Sequence, residues 1–485
     1  MEKIIEISNT DWLKGISLYP NVQIGGFFQA LNNVDPFETG GLATPSYTPA
    51  NGTLANTPLG LTNYNDLTSG YILAHTPQNL YQVLKDSPYT VTDKSSFIAT
   101  TGTYIGSMLY RSNYVYAREN SSIRAVLLPG FTGDTQVVAG FNADLEYTPL
   151  VEGANGNGFY GDNSRIGTFI PAAGTMAGAT TDTFDIDTGF TARDLLNDGR
   201  YLVIVADNNN IKLSQRITGH YSCKIYFWDM VTTDARDRIV PDIVWEIKDS
   251  YVIGAKILDG TIYVFSYNGI YICNSATPPK LLLPFPLYGL PTGTRPLHSG
   301  QIAISKGSIF WVDGEETTLQ GVFGLGNPVS GQQKIFYVPF QYSGAYTAKC
   351  LTFANNKPIL GTSQPGLFFF RVTTTRGTMS IQTTNLDMSS TYTYGYTKVV
   401  LKQPLSSGQS VTVTAFSQNG STTLSQETKS YSSSNPKQVL IFRRTPGSGY
   451  KEKFTDISIT VSVVGASVAR VETYATKQPE TNEEL

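Results

Sequence analysis

Leu258–Cys273 reads LDGTIYVFSYNGIYIC. Two apolar runs stand on either side of Tyr267-Asn268-Gly269, and Asp259-Gly260 opens the first of them. Asp, Asn and Gly tolerate the positive φ that two-residue hairpin turns demand, so the phrase predicts a hairpin. Ile262, Val264, Ile270 and Ile272 alternate with residues of different character, which predicts one sheet face packed on a neighbour. The same layout returns in NDGRYLVIVADNNNIKLSQ from Asn197, where Asp207-Asn208-Asn209 marks the turn. It returns again in SKGSIFWVDGEETTLQGVF from Ser305 and NNKPILGTSQPGLFFFRV from Asn355. Gly199, Gly260, Gly307 and Lys357 recur at roughly 50 residues, the period of a propeller blade of four short strands.

Weaker copies lie upstream, in SGYILAHTPQNLYQVL from Ser69 and TGTYIGSMLYRSNYVYAREN from Thr101. With one more blade in 123–196, or one built with the N-terminal segment, the count is six or seven over 66–390. Residues 1–65 are turn-rich but carry Ile24, Phe27, Phe28, Leu31 and Phe37, and read as an arm or a closing strand. The stretch 152–195 is rich in Gly, Asn, Thr and Ala, and reads as an insertion loop that serves as a contact surface. From 391 to 475 the pattern changes to strict two-residue alternation, as in QSVTVTAFSQ and DISITVSVVG. Val411, Val413 and Ala415 fall on one face, as do Ile457, Ile459, Val461 and Val463, which predicts a separate β-sandwich. The end, 476–485, is a polar acidic tail. The expected fold class is therefore all-β, a propeller followed by a C-terminal sandwich.

Composition agrees with many short strands. Among 485 residues, 29 are Tyr, 24 Phe, 45 Gly and 25 Pro, and charged residues are 15% against a usual value of about 25%. Few charges and many Tyr suit surfaces that lie against other proteins. The net charge is -3, and the one basic cluster is Arg443-Arg444 with Lys451 and Lys453, so a nucleic-acid grip by a surface patch is not expected. Cys223, Cys273 and Cys350 are scattered and odd in number, which fits synthesis in a reducing compartment. MEKIIEISNTDWLKG lacks the pattern of a secretory signal, and no run approaches the roughly 20 apolar residues of a membrane span.

Searches for chemistry yield candidates that are each better read structurally. His220 and Cys223 are three apart, but no second pair completes a zinc quartet; His75 and His298 stand alone. Asp182, Asp185 and Asp187 suggest a calcium loop, yet Leu196 stands where the closing Glu belongs. Asp198, Asp259, Asp313, Glu315 and Glu316 are the carboxylates a propeller glycosidase would use, but the three Asp belong to Asp-Gly turns. No metal, cofactor or catalytic residue is expected, and the chain is read as a protein without turnover. A carbohydrate-binding receptor and a glycosidase are the alternative classes.

Three stretches carry a resemblance: the segment GGFFQALNNVDPFETGGLATPS from Gly25, the blade phrase KPILGTSQPGLFFFRV, and PLSSGQSVTVTAFSQNG from Pro404. In this order the chain resembles the propeller-bearing structural proteins of tailed-bacteriophage virions, tail nozzle or tail hub-like proteins among them. The resemblance implies a virion component of the phage tail, made in the host cytoplasm. It implies a homo-oligomeric ring, or a cap on one, against other virion proteins, with DNA passing through a central channel.

Overall fold

The computed structural model describes residues 1–7, 28–32, 42–43, 47–66, 68–139, 147–172, 175–208, 221–230, 241–248, 250–266, 268–283, 299–305, 307–312, 322–325, 335–338, 348–354, 357–363, 366–370, 378–383, 385–417, 422–434, 436–443 and 453–478. Apart from two short 3-10 turns, Ser95–Phe97 and Ser299–Gln301, every described element is a strand. None of the described helices is long and apolar enough to cross a membrane.

Seven four-stranded antiparallel sheets follow one another along the chain. Blade 1 holds Gly60–Asn65, Gly70–His75, Leu80–Leu84 and Val91–Asp93. Blade 2 holds Tyr104–Tyr110, Asn113–Arg118, Ile123–Leu127 and Thr132–Val138. Blade 3 is Leu150–Glu152, Gly158–Asp162, Arg165–Ala172 and Thr175–Asp185, and blade 4 is Thr191–Asn197, Leu202–Asp207, Ser222–Trp228 and Ile243–Lys248. Blade 5 is Val252–Leu258, Thr261–Ser266, Gly269–Cys273 and Lys280–Leu283, and blade 6 is Ile302–Ser305, Ser308–Val312, Val322–Leu325 and Ile335–Val338. Blade 7 takes Ala348–Ala354, Lys357–Thr362 and Gly366–Phe370 from late in the chain and Tyr47–Pro49 from its beginning. The first strand of each blade packs on the first strand of the next, and the series returns from Ala348–Ala354 to Gly60–Asn65. The sheets therefore form a closed ring, a seven-bladed β-propeller.

The ring is closed by chain that is distant in sequence. The Ala50 N–H donates to the Leu367 carbonyl at 2.9 Å, and Asn51 bonds both Tyr89 O and Val91 N–H at 3.0 Å. Asn63 Nδ2 donates to Thr352 Oγ1 at 3.0 Å, Thr57 Oγ1 donates to Ser363 O at 2.8 Å, and the Tyr89 and Phe369 rings stack at 4.4 Å. Part of the segment read as an arm or closing strand thus supplies the outer strand of the last blade.

Blade 5 shows how the sequence dictates the hairpin. Asp259 and Gly260 adopt φ of 49° and 73°, the two positive values a type I′ turn requires, and Leu258 then pairs with Thr261. The next turn brings Ser266 opposite Gly269, which sets Ile262 against Cys273 and Val264 against Tyr271. That register corrects the expected face. Ile262 and Val264 lie with Val203, Val205 and Ile225 of blade 4, whereas Ile270 pairs with Phe265, whose ring meets Trp311 of blade 6 edge-on at 5.1 Å. A blade packed between two others buries both faces, so neither face is the exposed one.

A second correction concerns 152–195. It is not an insertion loop: it holds most of blade 3 and the start of blade 4. Its glycines mislead because they make room for rings. Gly158 pairs with Phe169 across the ladder and Gly167 with Tyr160; a Cβ at either glycine would come within 2.0 or 2.1 Å of the ring opposite. Removing 152–195 would therefore remove a blade.

By compactness the chain groups into two units. One comprises Pro49–Gln320 and Ser343–Phe369; the other comprises Met1–Thr48, Gly321–Tyr342 and Phe370–Leu485. Outside the blades, the second unit forms a sandwich of antiparallel strands. Its first sheet runs Glu2–Ile7, Ser467–Lys477, Leu386–Leu401, Val439–Arg443, with Leu42–Ala43 beside Ser467 and Val468. Its second runs Phe28–Asn32, Thr378–Thr383, Lys453–Val464, Ser410–Ser417, Thr422–Ser430. The sheets share one core: Val399, Leu401, Val468 and Val471 from the first meet Val411, Val413, Ala415, Ile457, Ile459, Val461 and Val463 from the second. The alternation legible from 391 onward marks that inner face, and the N-terminal and 378–383 strands complete the sheets.

Candidate functional site: the central channel

The inner strands of the ring enclose a cavity of about 360 Å³. Among the described residues its polar lining is Thr62, Asn63, Tyr104, Ser107, Tyr147 and Thr352, with Lys256 as the one charged residue; Leu61, Ile302, Ile304 and Leu351 supply apolar wall. The hydroxyls are linked. Tyr104 Oη lies 2.9 Å from Ser107 Oγ, which lies 3.0 Å from Thr62 Oγ1. Burial holds the Tyr104 phenol well above its usual range, so it stays protonated. Among the described residues no carboxylate or imidazole lines this cavity. The described lining can hydrogen-bond water or a neutral guest.

The carboxylates named from the sequence stand elsewhere. Asp198 accepts the Arg200 N–H at 2.9 Å and closes its own turn. Asp259 is exposed at the positive-φ turn described above. Asp313, Glu315, Glu316, His220, His298, Arg444 and Lys451 lie outside the described residues. Asp185 pairs in register with Arg165, and Asp187 forms an ion pair with Lys224. Among the described residues no three His, Cys, Asp or Glu converge on a point. Cys223, Cys273 and Cys350 are buried and free of disulfides, and burial pushes the Cys273 and Cys350 thiols up to about 12, the neutral and unreactive form. Arg443 and Lys453 are exposed on the sandwich.

Sequence reasoning missed the buried charges. The Arg193 guanidinium meets the Asp207 carboxylate at 2.9 Å with side chains 3% and 0% exposed. The second Asp207 oxygen accepts the Val252 N–H at 3.0 Å, and Asp194 accepts the Ala255 N–H at 2.7 Å, so two carboxylates of blade 4 hold the inner strand of blade 5. Between blades 1 and 2, the fully buried His75 contacts Tyr114 Oη at 2.8 Å through Nδ1 and Arg118 at 3.3 Å through Nε2. Arginine can only donate, so Nε2 accepts and the proton sits on Nδ1. Burial, reinforced by Arg118, holds this imidazole well below its usual range and so neutral. Arg118 also donates to Pro77 O and Gly102 O, at 2.8 and 3.0 Å. Charged residues inside apolar runs, as in TARDLL and LVIVAD, were the signal available.

No family model and no curated protein matches the chain. Solved structures similar to it include virginiamycin B lyase from Staphylococcus aureus with quinupristin, at 12% identity and a TM-score of 0.44, covering 68% of this chain and 100% of the lyase. BamB from Moraxella catarrhalis is similar at 13% identity and a TM-score of 0.39, over 67% of this chain and 97% of its own. BBS1N, solved in complex with ARL6DN, is similar at 12% identity and 0.39, over 68% and 96%.

Proposed function

We propose that the chain is a structural component of a tailed-phage virion, nozzle- or hub-like, that acts by homo-oligomeric assembly without catalysis. The observation that carries this reading is the use made of ionisable groups. Among the described residues, the channel, where a propeller would present reacting groups, is lined by hydroxyls, an amide, apolar walls and one ammonium. Asp194, Asp207 and Arg118 described above reach the backbone or side chains of other blades and act as braces, and Arg193 holds Asp207 from within blade 4. The sparse charge of the sequence and the exposed Leu127, Val244, Leu281 and Ile441 suit a chain that lies against other proteins. In such a ring the passage for DNA is the axis between copies.

The test is direct. Sedimentation velocity on the purified full chain, with electron microscopy of the particles that contain it, is expected to show several copies around an axis. A chain that is monomeric both when purified and in its particle, or that cleaves a polysaccharide with loss of activity on replacing a propeller carboxylate, would overturn the reading.

A further inference from the structure

Hydrogen bonds on the channel wall can be counted, because each hydroxyl owns one hydrogen and each contact uses one. Tyr104, Ser107 and Thr62 make two contacts in a row, at 2.9 and 3.0 Å, and they meet no other acceptor among the described residues. Three hydrogens serve two contacts, so one is left over in every arrangement. Tyr104 is buried, and Ser107 is the one acceptor its phenol meets among the described residues, so the phenol donates to Ser107. The spare hydrogen therefore falls to Ser107 or Thr62, both half-buried at the cavity. Tyr114 brings no relief, since its oxygen already accepts from His75 Nδ1 and it adds a hydrogen of its own.

A second spare donor stands one blade away. Asn63 Nδ2 donates to Thr352 Oγ1 at 3.0 Å and to the Phe353 carbonyl. Thr352 is the acceptor there, and its own hydrogen meets no acceptor among the described residues. Asn63 Oδ1, buried and without a partner among the described residues, is not within its reach. Thr352 lies on the inner strand of blade 7, Thr62 on that of blade 1 and Ser107 on that of blade 2, so the donors form an arc over three adjacent blades. Lys256, on the inner strand of blade 5, lines the same cavity, and an ammonium only donates.

The described wall is thus rich in donors and positive in charge. A water that accepts from the arc brings two hydrogens of its own and passes the excess on, whereas a carboxylate brings acceptors alone and ends it. The cavity, at about 360 Å³, falls within the range of about 300–1,000 Å³ that small-molecule sites occupy. We propose that the channel is a binding site for a small carboxylate, whose oxygens accept from the hydroxyl arc of Thr62, Ser107 and Thr352 and whose charge is balanced by Lys256. The site goes beyond the assembly reading and does not depend on it.

The experiment is calorimetric titration of the full chain at fixed ionic strength, with circular dichroism as a control for folding. The probes are sodium acetate and sodium gluconate, with sorbitol as the uncharged counterpart of gluconate. Both acids are expected to titrate a single site and to compete for it, and sorbitol to give no saturable heat. Ser107→Ala and Thr352→Val each remove a hydrogen bond to a charged group, and each is expected to weaken binding by about tenfold or more. Thr352→Ser keeps the hydroxyl and is expected to bind like the parent. Lys256→Met is expected to abolish binding, whereas Lys280→Met, the same change at an exposed position on the outer strand of blade 5, is expected to leave it intact. The proposal is overturned if neither acid titrates, if sorbitol binds as well as gluconate, or if binding survives both Lys256→Met and Ser107→Ala.

Discussion

Replacing Asp207 by Ala tests whether buried charge holds the blades together. Both carboxylate oxygens are committed: Oδ1 to Arg193 Nε at 2.9 Å and Oδ2 to the Val252 N–H at 3.0 Å. The pair is 3% and 0% exposed, so solvent does not screen it. Removing one member of a buried ion pair leaves the other charged and uncompensated, which costs about 3–5 kcal/mol. The orphaned Val252 N–H adds about 1–3 kcal/mol if no water reaches it. The two terms overlap, because the space left by the carboxylate can admit a water that serves both groups, so about 4 kcal/mol in total is expected. Urea unfolding followed by the fluorescence of Trp228, which is 1% exposed in the same blade, reads the loss as a fall in midpoint at constant slope. Arg193→Met in the Asp207→Leu background should lose less than the sum of the two single changes, by about 1–3 kcal/mol, since contacting residues couple. A loss below about 1 kcal/mol for Asp207→Ala, or strict additivity in the double variant, would refute the idea that this pair braces the ring.

Two further outcomes are expected. Since the buried His75 imidazole stays neutral in the fold, the unfolded chain takes up a proton below its ordinary value of about 6.5 while the folded chain does not; stability is therefore full above that pH and falls, by up to about 1.4 kcal/mol per pH unit, as pH drops below it. His75→Gln should flatten that part of the acid limb relative to the parent in urea titrations at pH 4.5–7, and superimposable limbs would contradict it. In the sandwich, Ile459 is fully buried between the sheets, and Ile459→Ala should cost about 2–5 kcal/mol. Hydrogen exchange should then quicken in Ser410–Ser417, which pairs with its strand; unchanged protection there would remove Ile459 from that core.

What was legible in the sequence is what the backbone must satisfy locally. Asp259-Gly260 could be read as a turn because few dipeptides accept two positive φ values in succession. Val411, Val413 and Ala415 could be assigned one face because a sandwich strand has one dry side. The faces of Ile262 and Ile270 could not be separated, since a blade is dry on both sides and alternation carries no sign there. Blade 3 was hidden for the opposite reason. Its Gly158 and Gly167 look like loop residues, and only the cross-strand partners Phe169 and Tyr160 show that each glycine is a seat for a ring.

The site repeats this lesson at the level of charge. A motif search looks for ionisable residues close in sequence, and it turned up Asp198, Asp259 and the Asp182–Asp187 cluster, of which the described members serve turns, the strand ladder and an ion pair. The ionisable groups that matter to the fold are distant in sequence or masked by apolar neighbours: Asp207 ends LVIVAD and reaches Val252, and Arg118 ends NYVYAR and reaches the loop carbonyl of Pro77. A charge buried in or at the end of a strand of Val, Ile and Tyr is too costly without a partner. Its presence in an apolar run thus states that a partner exists, within the blade for Arg193 and across an adjacent one for Asp194, Asp207 and Arg118.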